Sequence, residues 1–484
     1  MSLTRRGFLR STAAAATTLS LPGGLEIVPR AHAGGAGDPP RFLFVVAASG
    51  GANIVDGFWP VAQSEVSSAA LADTLTVFPD AVIAQPAGSN LRCVTNLGIT
   101  GLFTTDYDLN TFLTKYYQDM VVVPVENTSV NHAIAQKRAI NGAGINRGRT
   151  LMEAMATVHD GGLLPNCNLA TGGFIEPGDD ESLPARARAE LIADPLTFAV
   201  GTHGTRGLPG APGEALVQRA RAARAELEGA SAHGQRYGHS ALRQRLLDLQ
   251  ADTVPALEAA DLITSLMIVP EELIDLAPFG LQPSPLLDEL QAVFPRLLTD
   301  PLQMQAGLSF LLARYGVASA VTFGARFTPE TSADGLEGTP LAFDFSHTDH
   351  VVAQNVMWGR MMNAVDGLIT LLQGAPMGEG TMWDHSLVYV ATDFGRTRQR
   401  PAGQGSFGTG HHLNNGALLV SPLLDGNRVW GGIDPDTLLT YGFDLRTGDP
   451  DPGILLREGH IYSLVCQAMG VSFDGQHDMS LLLA

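Results

Sequence analysis

The stretch that decides the fold is Ser386 to Val420, SLVYVATDFGRTRQRPAGQGSFGTGHHLNNGALLV. Its first apolar run, Leu387 to Val390, is dense in β-formers and predicts a buried strand. The run ends at Thr392-Asp393-Phe394-Gly395-Arg396-Thr397, where an acid, two hydroxyls and an arginine gather at the strand's carboxyl end. A segment of Gly, Pro, Ser and Gln follows, the composition of a loop. The loop closes on Gly408-Thr409-Gly410-His411-His412, and a second apolar run, Ala417 to Val420, returns the chain to the interior. Ligand sites in open α/β sheets collect where strands end. An acid and a histidine pair joined by a loop between two buried strands therefore predict a metal or phosphoryl site. The alternative is a polar surface loop carrying two histidines.

Working outward, Arg41 to Ala48 (RFLFVVAA) is a continuous apolar run, as expected for a strand covered on both faces. It ends in the small-residue turn Ser49-Gly50-Gly51-Ala52-Asn53. That turn lacks the three-glycine dinucleotide fingerprint and no clean helix follows it, which excludes a nicotinamide or flavin site there. Met120 to Val125 predicts another buried strand, leading through Glu126-Asn127-Thr128-Ser129-Val130-Asn131-His132 into a helix from Ala133. Thr128 and Ser129 are either N-cap residues or nucleophiles at a positive helix end. Gly316 to Phe323 predicts a third buried strand. After it, Phe343-Asp344-Phe345-Ser346-His347-Thr348-Asp349-His350 is the densest group of ligand-type side chains in the chain, ahead of a long helix from about Val351 to Leu372. Two acids and two histidines suit a divalent metal; the alternative is helix capping by Asp349 or Ser346 with exposed histidines.

Between these, Gly161 to Pro212 predicts irregular structure, and residues 213–266 predict an α-helical insertion or cap with an arginine-rich solvated face. Helices are expected near Asp300 to Tyr315 and Glu458 to Met469. Strands alternating with helices predict an α/β fold, a mostly parallel sheet covered by helices on both faces.

The 484-residue chain carries 49 Asp and Glu against 30 Lys and Arg, a net charge of −19 that argues against nucleic acid as a partner. No apolar stretch after the N-terminus is long enough to predict a transmembrane segment. The N-terminus itself, Thr4-Arg5-Arg6-Gly7-Phe8-Leu9-Arg10, the small apolar run Ser11 to Leu21 and Ala31-His32-Ala33, has the order of a twin-arginine signal peptide over residues 1–33. It predicts the twin-arginine translocase as an export partner and a periplasmic or extracellular location for residues 34–484. Cys93, Cys167 and Cys466 lack CxxC spacing, leaving one disulfide with a spare thiol or three buried thiols. Their placement also argues against a copper oxidase.

These features, in this order, resemble a family of twin-arginine-exported bacterial proteins of unknown function related to the alkaline phosphatase/sulfatase superfamily. The signal, the turn at Gly50-Gly51-Ala52-Asn53, the turn Ser129-Val130-Asn131-His132, the Asp344–His347 junction, the Asp393-Phe394-Gly395-Arg396-Thr397 box and Gly408-Thr409-Gly410-His411 carry the resemblance. It implies an alkaline-phosphatase-like core with divalent metals (zinc, calcium or manganese) at strand ends, acting on a small anionic ester. Ser129 or Thr128 then resembles the nucleophile, Asp344 with His347 one metal pair, and Asp393 with His411 (beside His412) another pair or an anchor. Arg396 resembles an anion ligand, and Asp349 with His350 an alternative working pair. The family often has Gly-Gly-Ala-Asp where this chain has Asn53, and Asp where this chain has Gly410. Each lost carboxylate weakens the hold on a divalent ion, so the resemblance also implies an alternative: a non-catalytic envelope binding or scaffolding protein with an eroded metal site.

Overall fold

Seven of eight strands in the central sheet run the same way. In this computed structural model the described residues are 19–20, 26–27, 40–95, 97–99, 107–159, 162–170, 173–203, 212–248, 262–325 and 342–484. Apart from residues 19–20 and 26–27, the signal-peptide segment lies outside them, as do residues 249–261 of the helical insertion. The sheet strands are β1 (Phe42–Ala48), β2 (Met120–Glu126), β3 (Asn166–Asn168), β4 (Glu190–Leu191), β5 (Ala320–Ala325), β6 (Ser386–Thr392), β7 (Asn414–Val420) and β8 (Arg428–Val429). Their spatial order is β8-β2-β7-β6-β1-β5-β3-β4. β6 and β1 pair in parallel along their whole length, Ser386 opposite Phe42 and Thr392 opposite Ala48. β5 runs parallel to β1, whereas β7 is antiparallel to both β6 and β2. Turning β7 round has a consequence for function. Its first residues start at the same edge where β1, β2 and β6 end, so the 408–412 segment is delivered to the carboxyl edge of the sheet.

Every residue of β1, β6 and β7 is buried, which explains their unbroken apolar runs. Alternate residues of β1 enter opposite cores. Phe44 and Val46 pack in one core with α1 (Leu109–Tyr116), α4 (Pro301–Arg314) and α5 (His350–Gly374). Leu43 and Val45 pack in the other with α2 (His132–Asn141), α3 (Leu151–Val158) and α6 (Glu458–Ala468). The result is a mixed α/β architecture with helices on both faces of a mostly parallel sheet.

The segment expected to be irregular, Gly161 to Pro212, contributes strand β3, the edge strand β4 beside it and a helix, Pro195–His203. Asn166-Cys167-Asn168 carries no apolar alternation because its amides tether loops: Asn166 Nδ2 donates to the Ala187 carbonyl and Asn168 Nδ2 to that of Phe174. The described residues of the insertion are helical as expected, in helices Glu214–Ala230, Ala232–Arg236, Ala241–Asp248 and Leu262–Ser265. The three cysteines are buried free thiols. Among the described residues no helix is long and apolar enough to cross a membrane.

Candidate metal centre

The site is assembled at the carboxyl edge of the sheet, and its foundation is Asp393. The residue lies just past β6 and is fully buried. Gly50 and Gly51, at the end of the neighbouring β1, take φ values of +101° and +80°. A side chain at either would collide, at Gly50 with the Asp344 backbone and at Gly51 with Arg396 and Phe394. In this conformation both amides point at the Asp393 carboxylate: Gly51 N–H donates to Oδ1 at 2.6 Å and Gly50 N–H to Oδ2 at 3.1 Å. Successive amides forming such a cradle make an anion site, and here its anion is internal.

Asp393 in turn orients a histidine. His132 opens α2, whose N-cap is Asn131, with its side chain accepting from Ile134 N–H at 3.3 Å. His132 Nδ1 lies 2.6 Å from Asp393 Oδ2, so the carboxylate holds the tautomer protonated at Nδ1 and leaves Nε2 facing outward. His411 is fixed in the same sense: its Nδ1 lies 2.9 Å from the Val130 carbonyl, and Phe394 stacks on its ring at 4.0 Å between centroids. One ligand atom each from His132, Asp344 and His411 lie within 4.8 Å of one another. Asp344 Oδ1 is 3.5 Å from His132 Nε2 and 3.4 Å from His347 Nε2, and His347 Nε2 is 2.8 Å from His411 Nε2. Zinc bonds to nitrogen and oxygen of about 2.0–2.1 Å in a tetrahedron put ligand atoms roughly 3.3 Å apart. The spacing of these atoms brackets that value.

The protonation of the cluster matches its geometry. Burial depresses His132, but the Asp344 and Asp393 carboxylates outweigh it and raise the imidazole to about 9. His347 and His411 shift down, foremost through burial, with the Arg396 cation adding to it. In the metal-free cluster the extra, ionising proton is therefore favoured on His132, while the downward shifts of His347 and His411 favour their neutral forms.

Several expected residues stand elsewhere. Arg396 is fully buried, and its guanidinium is taken up by protein groups: the Gly50 carbonyl, the Thr409 carbonyl at 3.4 Å, Asp344 Oδ1 at 3.2 Å and His347 Nε2 at 3.2 Å. It ties three loops together where the resemblance implied a bidentate anion ligand. Thr128 Oγ1 donates to Glu458 at 2.8 Å and accepts from Arg138 at 3.0 Å, an anchored hydroxyl. Ser129 Oγ accepts the Asn131 amide at 3.1 Å, and the carbonyl of the next residue, Val130, holds His411. Asp349 is the N-cap of α5, accepting from Val352 N–H at 3.2 Å. His412 Nδ1 accepts from the Asn414 amide at 3.0 Å.

Asn53 and His350 belong to a second, buried cluster. Asn53 Nδ2 donates to Asp56 Oδ2, and Arg398 donates to Asn53 Oδ1. His350, only 1% exposed, bridges Asp56 Oδ2 at 3.1 Å and Thr409 Oγ1 at 3.0 Å, so it is not an exposed histidine beside a cap. A guanidinium, Arg398, is the cation among these groups, held below its ordinary range at about 10 by burial despite Asp56 and Glu126.

The residue without an assigned role in the sequence is His132. Its signal was its place at the start of a helix following a buried strand; the partner that gives it meaning, Asp393, is 261 positions away. The chain matches no protein-family model and no curated protein.

Proposed function

We propose that His132, Asp344, His347 and His411 hold one divalent transition metal. On this reading the chain is an exported hydrolase of phosphate or sulfate esters with an alkaline-phosphatase-like core. The observation that carries the reading is the convergence of Nε2 atoms on Asp344, with the outer nitrogens of His132 and His411 already committed to Asp393 and the Val130 carbonyl. Three imidazoles and one carboxylate suit zinc or manganese; calcium, which prefers all-oxygen shells, fits poorly. A bound ion would polarise an ester oxygen. For the chain's own part, Asp393 and Val130 fix the imidazoles, Arg396 locks the loops, and Ser129 offers the less encumbered hydroxyl.

A second reading, a non-catalytic binding or scaffolding protein, draws on Asn53 and Arg398. An amide and an internal guanidinium occupy the Asp56–His350 cluster, which favours a single metal over a pair. Elemental analysis of the purified mature protein beside a His132→Ala/His411→Ala variant separates these. Near-stoichiometric zinc or manganese, lost in the variant, with turnover of p-nitrophenyl phosphate or sulfate supports the hydrolase. Metal without turnover supports the binding protein. A metal-free wild type that divalent ions do not stabilise sinks the metallohydrolase and leaves a fold retained for binding.

A further inference from the structure

Helix Glu214–Ala230 of the insertion spans 17 residues, yet none of residues 215–230 is buried. Helices in proteins owe most of their stability to packing one face, so a helix bare on every side calls for a partner. Its half-buried residues, Val217, Arg221 and Glu228, fall on one line, the side that solvent reaches least. About 120° round the helix from them, at about 100° per residue, runs a second line. It consists of Leu216, Ala220, Ala223, Leu227 and Ala230, all exposed, with Leu216 at 54% and Leu227 at 72%. The four-three-four-three spacing is that of a seam between two helices.

The seam complements a second copy of itself. Laid antiparallel, it sets Leu216 against Leu227 of the second copy and Ala220 against Ala223. Alanines at the centre allow the axes to close to about 8 Å, the short end of the usual range. On the flank away from the half-buried line stand Arg219 and Glu226. The antiparallel register brings Arg219 of each copy to Glu226 of the other. Parallel packing would instead set Arg219 beside Arg224 of the second copy, two like charges. Among the described residues no ion pair takes up Arg219 or Glu226, whereas Arg224 holds Glu228 at 2.7 Å. An anionic lipid surface fits less well, since it would meet Glu226 and a chain of net charge −19. We propose that this helix is the contact of a two-fold dimer of the chain, closed by two Leu216–Leu227 layers and two Arg219–Glu226 pairs. A helix about 25 Å long makes a small interface, which belongs to transient association with a Kd on the order of 10 µM. The inference is independent of the hydrolase reading.

The test is sedimentation velocity of the purified protein across about 1 to 200 µM, a range that brackets that constant. A monomer–dimer equilibrium is expected. Arg219→Glu, which opposes two acids on both flanks, should weaken it about tenfold, and so should Glu226→Arg. The double variant Arg219→Glu/Glu226→Arg restores opposite charges and with them the wild-type affinity. Leu227→Asp abolishes the dimer, while His132→Ala/His411→Ala retains it. A monomer at every concentration overturns the proposal, whether or not vesicles of phosphatidylglycerol carry it down. A dimer that ignores Leu227→Asp overturns it as well, as does one that the double reversal fails to restore. Should Leu227→Asp fail to fold, the exposed charge exchange still decides.

Discussion

His132 sits between two carboxylates, and that position links proton, metal and stability. Asp344 and Asp393 raise its imidazole to about 9 against the pull of burial. Since this folded value exceeds the ordinary one of about 6.5, the proton stabilises the metal-free fold fully below about pH 6.5. That contribution is lost as pH rises through about 9. A metal must displace this proton to reach Nε2, so binding near neutrality releases it. Urea midpoints of the metal-free wild type should therefore fall between pH 6.5 and 9. Asp393→Asn, which removes one of the two raising charges, should flatten that decline and weaken metal affinity about 10- to 100-fold, the usual effect of losing an outer partner of a ligating histidine. An equal pH profile in the two proteins would show that Asp393 does not set the state of His132.

At the level of elements, the site depends on how β1 and β6 end side by side. The paired strands deliver Gly50-Gly51 to Asp393, and only a residue without a side chain tolerates the backbone there. Gly51→Ala places a methyl 2.7 Å from Arg396 Nε at a φ of +80°. It should cost at least about 2 kcal/mol in stability and weaken metal binding, because the cradle that holds Asp393 is displaced. Unfolding titrations read the first effect and calorimetric metal titration the second; a stable variant with intact affinity would make the cradle incidental. The long buried strands were legible in the sequence because burial on both faces leaves an unbroken apolar run, as at Phe42–Ala48 and Met120–Glu126. The short strand Asn166–Asn168 was not: two asparagines whose amides serve loops flank a single buried cysteine. The site was half legible for a related reason. Asp344, His347 and His411 stand out as local clusters, and they do meet. The role of His132, and the diversion of Arg396 and His350 into buried networks, depend on contacts between distant segments that local spacing does not encode. Asp349 took the ordinary role of a helix cap, the alternative its position before α5 already contained.

The whole molecule places a field around this site that opposes its proposed substrate. The chain carries a net charge of −19, and removal of residues 1–33, on the proposal that they are an export signal, would take away Arg5, Arg6, Arg10 and Arg30 against Glu26 and make the remainder more acidic. An anionic ester approaching from solution meets that field first and the local cations last. The Debye length is about 30 Å at 0.01 M ionic strength and about 8 Å at 0.15 M. At low salt the repulsion therefore extends across much of the molecule, whereas near physiological salt it is confined to the immediate surface. Contacts inside the His132–Asp344–His347–His411 cluster are short, from 2.8 to 3.5 Å, and are screened far less. Raising the salt should thus remove the long-range barrier while sparing the binding contacts. For p-nitrophenyl phosphate or sulfate, kcat/KM should rise severalfold between 0.01 and 0.15 M sodium chloride, with kcat nearly unchanged, as expected when only the encounter is screened. A neutral carboxylic ester tried beside it should show no such rise. If kcat/KM instead falls with salt, the approach is steered by a positive path to the site, and the acidity of the chain serves something other than its substrate.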